Sequence, residues 1–351
     1  MVLRGCLPNA TGPLYQKKSE SETSAGKCYS LAVRLPLALP GRGIRSFDAV
    51  GFGLNSLDLL TVVAEHPRPN SKQRIQRFAR QPGGQAATAM VTCARLGWRA
   101  RYVGRFGDDE HGTISRTSLV EDGVDVSASV TLPGTTNQFA VILVDGRSGE
   151  RTIMWDRHPG LAMSAADVPV DAVTSGRVLL VDCHETEASA QAARLARAVG
   201  IPTVIDVERV RPGIGDLLQK IDVIIAAEEF PSSLTGRPIG EALASMAREF
   251  GAAIVCATLG PQGSLAWCGG REIRTPAFQV PVIDTTGAGD VFRGGFIAGW
   301  LTYEDRADLE EVLAYANAAA ALKCRGLGAR QRIPYADEVI ALLKSPSAFN
   351  S

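Results

Sequence analysis

The sequence predicts an α/β protein whose core is a doubly wound, mostly parallel sheet flanked by helices. Short apolar runs alternate with stretches whose apolar residues recur at helical spacing, as in parallel sheets that are covered on both faces. The runs that predict buried strands cover residues 48–53, 178–182, 203–206, 222–226 and 253–257. Between Gln85 and Leu96, apolar residues at 86, 89, 90, 93 and 96 define one side of a helix.

Two stretches interrupt this alternation and predict a small additional sheet. They cover residues 57–80 and 136–156. In the second stretch, the turn sequence Asp-Gly-Arg-Ser-Gly at 145–149 separates two β-rich runs, which is typical of a hairpin. We therefore expect one folded domain over residues 46–345 that carries an accessory β-sheet.

Residues 1–45 differ in composition from the rest of the chain. Ser, Glu, Thr and Lys cluster between positions 19 and 30, and the apolar stretch at 31–40 contains an arginine and two prolines. This composition favours a disordered extension, and the apolar stretch is too broken and too far into the chain for a secretory signal. A transit peptide and a misplaced start codon are the alternatives.

Composition narrows the functional classes. The chain has 351 residues, of which 45% are hydrophobic and 21% are charged, enough for a large core. Lys plus Arg and Asp plus Glu both number 37, a balance that indicates neither a nucleic-acid nor a membrane partner. The seven cysteines form no C-x-x-C pair, so we expect free thiols in a cytoplasmic protein.

The clearest functional signal is the segment 284–290, Asp-Thr-Thr-Gly-Ala-Gly-Asp, which leads directly into an apolar helical run. The small residues Gly287, Ala288 and Gly289 allow a tight turn that leaves main-chain N–H groups of the first helical turn unpaired. The helix dipole makes that place favourable for a phosphate. Asp290 on the same turn would repel a phosphate, so we interpret it as a base for an incoming hydroxyl. A turn that only begins a helix is the structural alternative.

This segment resembles the C-terminal signature of the ribokinase, or PfkB, carbohydrate kinase family. Residues 83–112, which include GGQAAT and GRFGDDEHG, resemble the N-terminal signature, and the two occur in the family's order. The resemblance extends from about residue 48 to about residue 334. It implies a ribokinase-like fold, ATP and Mg²⁺ as cofactors, and a small-sheet lid over the sugar, formed by about residues 57–80 and 136–156, through which a homodimer assembles.

The resemblance also implies an acceptor site near the first strand and the first helix. The residues assigned to the sugar are Asn55, Asp58, Gly83, Gly84 and Thr88. Asp58 suits this role because a carboxylate accepts two hydroxyl hydrogens, and the two glycines would let a sugar approach the backbone closely. Asp58 as a local cap and Thr88 as a residue that merely begins the helix are the alternatives.

The nucleotide is assigned to the C-terminal half. The residues implied are Thr258, Gly260, Gly263 and Asn317. The first three follow a buried strand in a loop whose N–H groups and hydroxyl can meet phosphate oxygens, and Asn317 matches a position beside the adenine. The sequence contains no Walker-type G-x-x-x-x-G-K-[ST] motif, which is consistent with this placement.

Two metal sites follow from the resemblance. Many relatives carry an N-x-x-E motif that organises Mg²⁺, but the matching residues here are alanine and phenylalanine. Glu228 and Glu229 are then the candidates for Mg²⁺ binding through water, which this ion tolerates. Asp284 and Thr286, with carbonyl groups of residues 324–328, match the site of a monovalent cation in many relatives, so potassium activation is expected.

The predicted function is transfer of the γ-phosphoryl group of ATP to a primary hydroxyl of a sugar, with Asp290 as the base. The chain resembles ketohexokinase-like and sulfofructose kinase-like members in two respects: it lacks the N-x-x-E motif, and its residues 320–329 are similar to theirs. This resemblance favours a ketose acceptor. Arg293 is a further candidate for phosphate binding, and Arg157 and His158 are candidates for an anionic substituent of the sugar.

Two other functions are compatible with the sequence. A nucleoside kinase of the same fold would stack a base on a lid aromatic such as Phe78 or Phe139. A non-catalytic protein that binds a sugar and a nucleotide would have lost turnover through the altered N-x-x-E region. The intact segment 284–290 favours a kinase over a binding protein.

Overall fold

The computed structural model describes residues 33–148 and 150–345. For residues 1–32, the prediction of a disordered extension lies outside the described chain. From residue 33 onward it was wrong, because main-chain hydrogen bonds attach this segment to the core, among them one from Leu35 N to Ala307 O at 3.0 Å. The side chains that pack against the core are those of Val33, Leu35, Leu37 and Leu39. Their alternate spacing gives the segment one apolar side to bury.

The structure assigns the elements as follows. The strands are β1 (Ala49–Phe52), β2 (Ser56–Val63), β3 (Ile75–Gly83), β4 (Ala100–Val103), β5 (Arg105–Gly107), β6 (Val130–Leu132), β7 (Phe139–Asp145), β8 (Arg151–Asp156), β9 (Val178–Asp182), β10 (Thr203–Val207), β11 (Val223–Ala227), β12 (Ile254–Thr258), β13 (Ser264–Cys268) and β14 (Arg271–Thr275). The helices are α1 (Gln85–Arg95), α2 (Glu110–Glu121), α3 (Val170–Val173), α4 (Thr186–Ala198), α5 (Ile214–Leu218), α6 (Glu229–Thr235), α7 (Ile239–Phe250), α8 (Ala288–Tyr303), α9 (Leu309–Lys323) and α10 (Ala336–Leu343).

The main sheet has eight strands in the order β14-β13-β12-β11-β10-β9-β1-β4. Neighbours from β4 to β12 run parallel, and β13 and β14 add an antiparallel edge. In β9, Val178 and Leu180 pack on one face of the sheet and Leu179 and Val181 on the other. This confirms the predicted doubly wound, mostly parallel sheet. Because parallel strands end at one edge, polar residues that follow them gather there.

A separate four-stranded sheet has the order β3-β2-β7-β8 and corresponds to the two interrupting stretches. Its strands β7 and β8 pair antiparallel around the predicted hairpin turn. Residues that pair directly across strands share a face, so Asp58, Ala140 and Trp155 lie on one face of this sheet. Leu57 and Phe139 lie on the opposite face.

Helix α8 packs tightly between α1 and α9. A Cβ atom added to Gly294 would lie 2.5 Å from Cβ of Thr92 in α1, and one added to Gly295 would lie 3.1 Å from Cα of Ala316 in α9. Glycine is therefore required at the first position and favoured at the second. The close approach fixes the start of α8, which carries the predicted phosphate loop, against the helix that follows the predicted sugar residues.

Among the described residues, no helix combines the length and the apolar character that a bilayer span needs. The cysteines that the structure describes are buried free thiols, as expected from the sequence. They are Cys93, Cys183, Cys256, Cys268 and Cys324.

Candidate active site

The phosphate loop begins α8 with a left-handed residue. Gly287 has φ 76°, and a Cβ atom there would lie 2.8 Å from Cα of Ala329, so only glycine fits. The N–H of Ala288 is bonded to the carbonyl oxygen of Thr285 at 3.1 Å, whereas no acceptor among the described residues takes the N–H of Gly289 or Asp290. Free donors at a helix N-terminus are the feature on which the predicted anion site depends, and the binding of an anion there stays a prediction.

Asp284 fixes the shape of this loop. Its Oδ1 accepts hydrogen bonds from the N–H and the hydroxyl of Thr286 at 2.9 and 2.7 Å, and its Oδ2 accepts from the N–H of Gly328 at 2.7 Å. Burial opposes ionisation of Asp284, but these hydrogen bonds outweigh it and lower the pKa of the carboxyl group. The carbonyl oxygen of Asp284 accepts from Nζ of Lys323 at 2.9 Å. The predicted pair Asp284 and Thr286 thus lies together, with its oxygens already engaged.

Asp290 lies half-buried on the first turn of α8. Burial raises the pKa of its carboxyl group well above the ordinary value, and the negative charges of Asp206, Glu208 and Asp58 raise it further. Arg293 opposes this shift. A carboxylate with a raised proton affinity is the form that a general base requires.

Arg293 is held in the core beneath the start of α8. Its Nη2 lies 3.1 Å from Oδ1 of Asp206 and donates to the carbonyl oxygen of Ile225 at 3.3 Å, and the whole residue is buried. A Cβ atom on Gly289 would lie 2.5 Å from Nη1 of Arg293, so that glycine leaves room for the guanidinium. Arg293 is therefore the partner of the buried Asp206, and its contact with phosphates stays a prediction.

On the acceptor side, Asp58 is buried and close to the two predicted glycines. Its Oδ1 accepts from the Ser56 hydroxyl at 3.1 Å. A Cβ atom on Gly83 would lie 2.6 Å from Oδ2 of Asp58, and one on Gly84, whose φ is 91°, would lie 2.5 Å from Cα of Asn55. Burial raises the pKa of Asp58 to about 6, although Ser56 and a nearby arginine lower it.

Asn55 and Thr88 have different environments. Nδ2 of Asn55 donates to the Tyr102 hydroxyl at 2.9 Å and to the carbonyl oxygen of Arg105 at 2.8 Å. Its buried Oδ1 has no partner among the described residues, so it is an acceptor available to a hydroxyl. Thr88 is fully buried and its hydroxyl accepts from Nε of Arg330 at 3.2 Å. The side chain of Thr88 therefore positions Arg330, and the prediction that it contacts the sugar is replaced by this indirect role.

Arg330 was missed by the sequence analysis. Besides Thr88, its guanidinium donates to the Ser118 hydroxyl at 3.0 Å and to the carbonyl oxygen of Gly83 at 2.5 Å. Burial lowers its pKa to about 10, opposed by acidic neighbours that include Asp58. It joins α1, α2 and the end of β3. Only its place shortly after the matched Gly328 could have indicated it.

The residues predicted to bind the nucleotide line one cleft of about 420 Å³ beside the start of α8, named the nucleotide cleft here. All four that were predicted are present: Thr258, Gly260, Gly263 and Asn317. Thr285, Ala288 and Gly289 line the same cleft, and the rest of its wall is mostly apolar. Asn317 is anchored there, since its Nδ2 donates to the Ser264 hydroxyl at 3.1 Å. The cleft thus leads from an apolar pocket to the free N–H groups of the phosphate loop.

Glu228 and Glu229 lie elsewhere. They line a separate depression together with Ser232, Gln262 and Arg274, and neither lines the nucleotide cleft. Two of the acidic residues that raise the pKa of Asp290, Asp206 and Glu208, lie instead at the end of β10. Neither of the two predicted magnesium residues lines the cleft that reaches the phosphate loop.

Three further expectations change in the structure. Arg157 pairs with Glu185, with Nη1 and Oε1 2.6 Å apart, and Nδ1 of His158 accepts from the N–H of Gly160 at 3.1 Å. The expectation that these two side chains select an anionic substituent was wrong, because local partners neutralise or occupy them. Phe78 and Phe139 lie on the lid face opposite Asp58, since they pair with Thr61 and Leu57. They are therefore not placed to stack a base at the acceptor site.

The lid also contacts the phosphate loop directly. Nη1 of Arg151, on the lid strand β8, donates to the Thr285 hydroxyl at 3.1 Å. Thr285 lines the nucleotide cleft. The contact joins residues far apart in sequence, so no local motif indicates it.

Comparisons with known proteins agree with this site. Residues 48–335 match the family described as pfkB family carbohydrate kinase. Fructokinase-1 of Oryza sativa subsp. japonica is 27% identical over 324 residues, covering 86% of this chain and 99% of that protein. The ribokinase of Bacillus subtilis strain 168 is 28% identical over 296 residues, covering 83% and 97%. The structure of Arabidopsis thaliana ribokinase complexed with ribose and ATP has a TM-score of 0.75 at 26% identity, covering 85% of this chain and 99% of that one.

An α/β core with a glycine-rich phosphate loop, a carboxylate on the first turn of the following helix and a separate lid sheet defines a class of phosphotransferases that act on alcohol groups. The chain belongs to the PfkB family of carbohydrate kinases, whose match spans residues 48–335. It is therefore a sugar or nucleoside kinase with the ribokinase-like fold that the sequence predicts.

The raised pKa of Asp58 generates a stability prediction. Its folded-state pKa is about 6 against 3.8 for an ordinary aspartate, so the stability it contributes below pH 4 is lost as the pH rises through 6. Asp58→Asn should remove this loss. Relative to the variant, the wild-type free energy of unfolding should fall between pH 4 and 7 by at most about 3 kcal/mol, measured by urea denaturation.

The exposed Asp171→Asn is the matched control and should follow the wild type at every pH. Parallel pH profiles for the wild type and Asp58→Asn would show that this carboxylate is not destabilised by burial.

Proposed function

We propose that the protein transfers the γ-phosphoryl group of ATP to a primary hydroxyl of a carbohydrate, with a ketose as the favoured acceptor. The observation that carries the proposal is the position of Asp290. Asp290 lies on the first turn of α8, beside the free N–H groups at the end of the nucleotide cleft. The charge of Asp58, on the acceptor side, raises the pKa of Asp290. A base between a phosphate site and a hydroxyl site is what phosphoryl transfer requires.

The proposed reaction follows from this arrangement. ATP lies in the cleft with its γ-phosphate at the N–H groups of Gly289 and Asp290, which stabilise charge on the transferring group. Asp58 and the free Oδ1 of Asn55 accept hydrogen bonds from sugar hydroxyls. Asp290 takes the proton of the attacking hydroxyl as the bond to phosphorus forms and ADP leaves. The free N–H groups need no reorganisation during this step, since Gly287 fixes the turn.

Mg²⁺ accompanies ATP in this proposal, and its protein contact differs from the predicted one. Glu208 directly follows β10 and influences Asp290, and Oδ2 of the buried Asp206 has no partner among the described residues. These carboxylates fit an ion that keeps much of its hydration shell and binds mainly through phosphate oxygens and water. Bound there, Mg²⁺ would neutralise charge on the phosphates. We assign the water-mediated contact to Glu208 in place of Glu228 and Glu229.

The first test is turnover of Asp290→Asn. ADP release should be measured with MgATP across pentoses, hexoses, ketoses, a sulfonated ketose and nucleosides. We expect a sugar to give turnover, and the variant to lose about 10²- to 10⁴-fold in kcat because the base is gone. Thermal stabilisation by ATP should persist, since the cleft is unchanged.

Asp171→Asn serves as the control and should keep full activity. Turnover with nucleosides alone would favour a nucleoside kinase. Binding of sugar and ATP without ADP release in the wild type would favour the non-catalytic alternative.

The magnesium assignment has its own test. Glu208→Gln should raise the Mg²⁺ concentration needed for half-maximal rate about 10-fold or more, because it removes an outer partner of the ion. Glu228→Gln and Glu229→Gln should leave that concentration unchanged. The opposite ranking of the variants would return the site to the predicted residues.

We further propose that the chain forms a homodimer through the lid. Strand β8 is an edge strand exposed along its whole length, and apolar side chains are exposed on both faces of the lid, as at an unpaired interface. These side chains are Ile75, Phe78, Ile153, Met154 and Trp155. Burying them against a second copy would cover the apolar surface and the open strand edge together.

Light scattering after size exclusion tests this proposal. The wild type should have twice the mass of the 37.2 kDa chain, and Phe78→Glu combined with Met154→Glu should be monomeric. Val199→Glu, at an apolar residue of similar exposure outside the lid, should remain dimeric. A monomeric wild type at the concentrations used for activity would rule out the dimer.

A further inference from the structure

Lys323, the last residue of α9, is a buried lysine that none of the steps above uses. Its side chain is fully enclosed, and its Nζ donates to the carbonyl oxygen of Asp284 at 2.9 Å. Taking an ammonium group out of water is costly unless its charge is compensated. We therefore expect the charge of this buried lysine to have a functional role.

The charges and contacts around Nζ of Lys323 indicate this role. The negative groups that act on it are Asp284, Cys324 and Asp290, and Arg151 is the opposing charge. No carboxylate of the described residues lies within ion-pair distance of its Nζ, so its direct contact is a main-chain carbonyl. The C-terminal end of α9 adds a favourable dipole for a cation. The ammonium group thus contacts the main chain of the segment that leads into the phosphate loop, and the charges of Asp284 and Asp290 act on it from a greater distance.

This is the position at which the resemblance predicted a monovalent cation. Potassium binds proteins by exchanging its water shell for several oxygen atoms. Here Oδ1 and Oδ2 of Asp284 accept from Thr286 and Gly328, and its carbonyl oxygen accepts from Lys323. The carbonyl oxygen of Cys324 accepts from the N–H groups of Ile283 and Asp284. These oxygen atoms are therefore already engaged, and with the ammonium group on the Asp284 carbonyl oxygen they do not fit a potassium ion as well.

We propose that the ammonium group of Lys323 is a tethered cation that takes the place of an alkali ion and makes the kinase independent of potassium. An ammonium ion and a potassium ion have similar radii and equal charge, so one can replace the other among carbonyl oxygens. By binding the Asp284 carbonyl, Lys323 keeps that peptide turned inward. The following N–H groups then keep their orientation toward the phosphate. Lys323 is a positioning residue, and this role rests on the proposed kinase function.

Two substitutions separate the charge of Lys323 from its volume. Lys323→Ala removes both, which frees the carbonyl oxygen of Asp284 and leaves a space that potassium or ammonium ions can enter. Lys323→Met removes the charge but fills the space. The exposed Lys344→Ala is the matched control for loss of a lysine.

The first measurement is the melting temperature in sodium, potassium, ammonium and tetramethylammonium chloride at equal ionic strength. Potassium and ammonium should raise the melting temperature of Lys323→Ala by about 2–4 °C over tetramethylammonium, as for a ligand that binds only the folded chain. The wild type, Lys323→Met and Lys344→Ala should show no difference between these salts. This measurement needs no acceptor, so it remains informative if the proposed reaction fails.

The second measurement is turnover in the same salts. The wild type should have equal rates, within about twofold, in sodium and potassium. Lys323→Ala should lose about 10- to 100-fold in sodium and recover most of it in potassium or ammonium, as when one charge-stabilising group is removed from a phosphoryl-transfer site. Lys323→Met should be equally slow in every salt.

Stimulation of the wild type by potassium of tenfold or more would overturn the proposal, and this arm does not depend on the variants folding. Full activity of Lys323→Met in sodium would also overturn it. If only the turnover measurement fails in every protein and salt, the proposed reaction is at fault and not the tethered cation.

Discussion

The carboxylate of Asp284 is the constraint on which the rest of the site depends. It joins the segment before α8 to the segment after α9 by hydrogen bonds to Thr286 and Gly328. Without it, the left-handed turn at Gly287 would not be fixed against Ala329, and the free N–H groups of α8 would not face the cleft. One short side chain therefore sets the geometry of the phosphate site, and the lysine beneath it balances the charge.

The site concentrates buried charge that a purely structural core would avoid. Asp58, Asp206 and Asp290 all have raised pKa values because they are taken out of water, and acidic neighbours raise each of the three further. The buried cations Arg293 and Arg330 offset only part of this cost. Such arrangements reduce stability and are retained where the chemistry needs them.

Much of the fold was predictable from the sequence, because parallel strands buried on both faces leave near-continuous apolar runs such as residues 178–182. The phosphate loop was predictable from its small residues. Arg293 and Arg330 were not, since their roles depend on buried partners far away in the chain. The sequence also did not reveal which face of the lid carries Phe78 and Phe139, because the strand register determines it. Disorder was wrongly predicted for residues 33–45, because the polar residues before them outweighed the alternating apolar residues in the interpretation.

Strand β2 is both the centre of the lid and the carrier of Asp58. In the proposed kinase, an outward movement of the lid would therefore move that carboxylate away from the sugar. The same movement would break the hydrogen bond between Arg151 of the lid and the Thr285 hydroxyl at the nucleotide cleft. Opening of the lid would thus loosen the sugar and the nucleotide together.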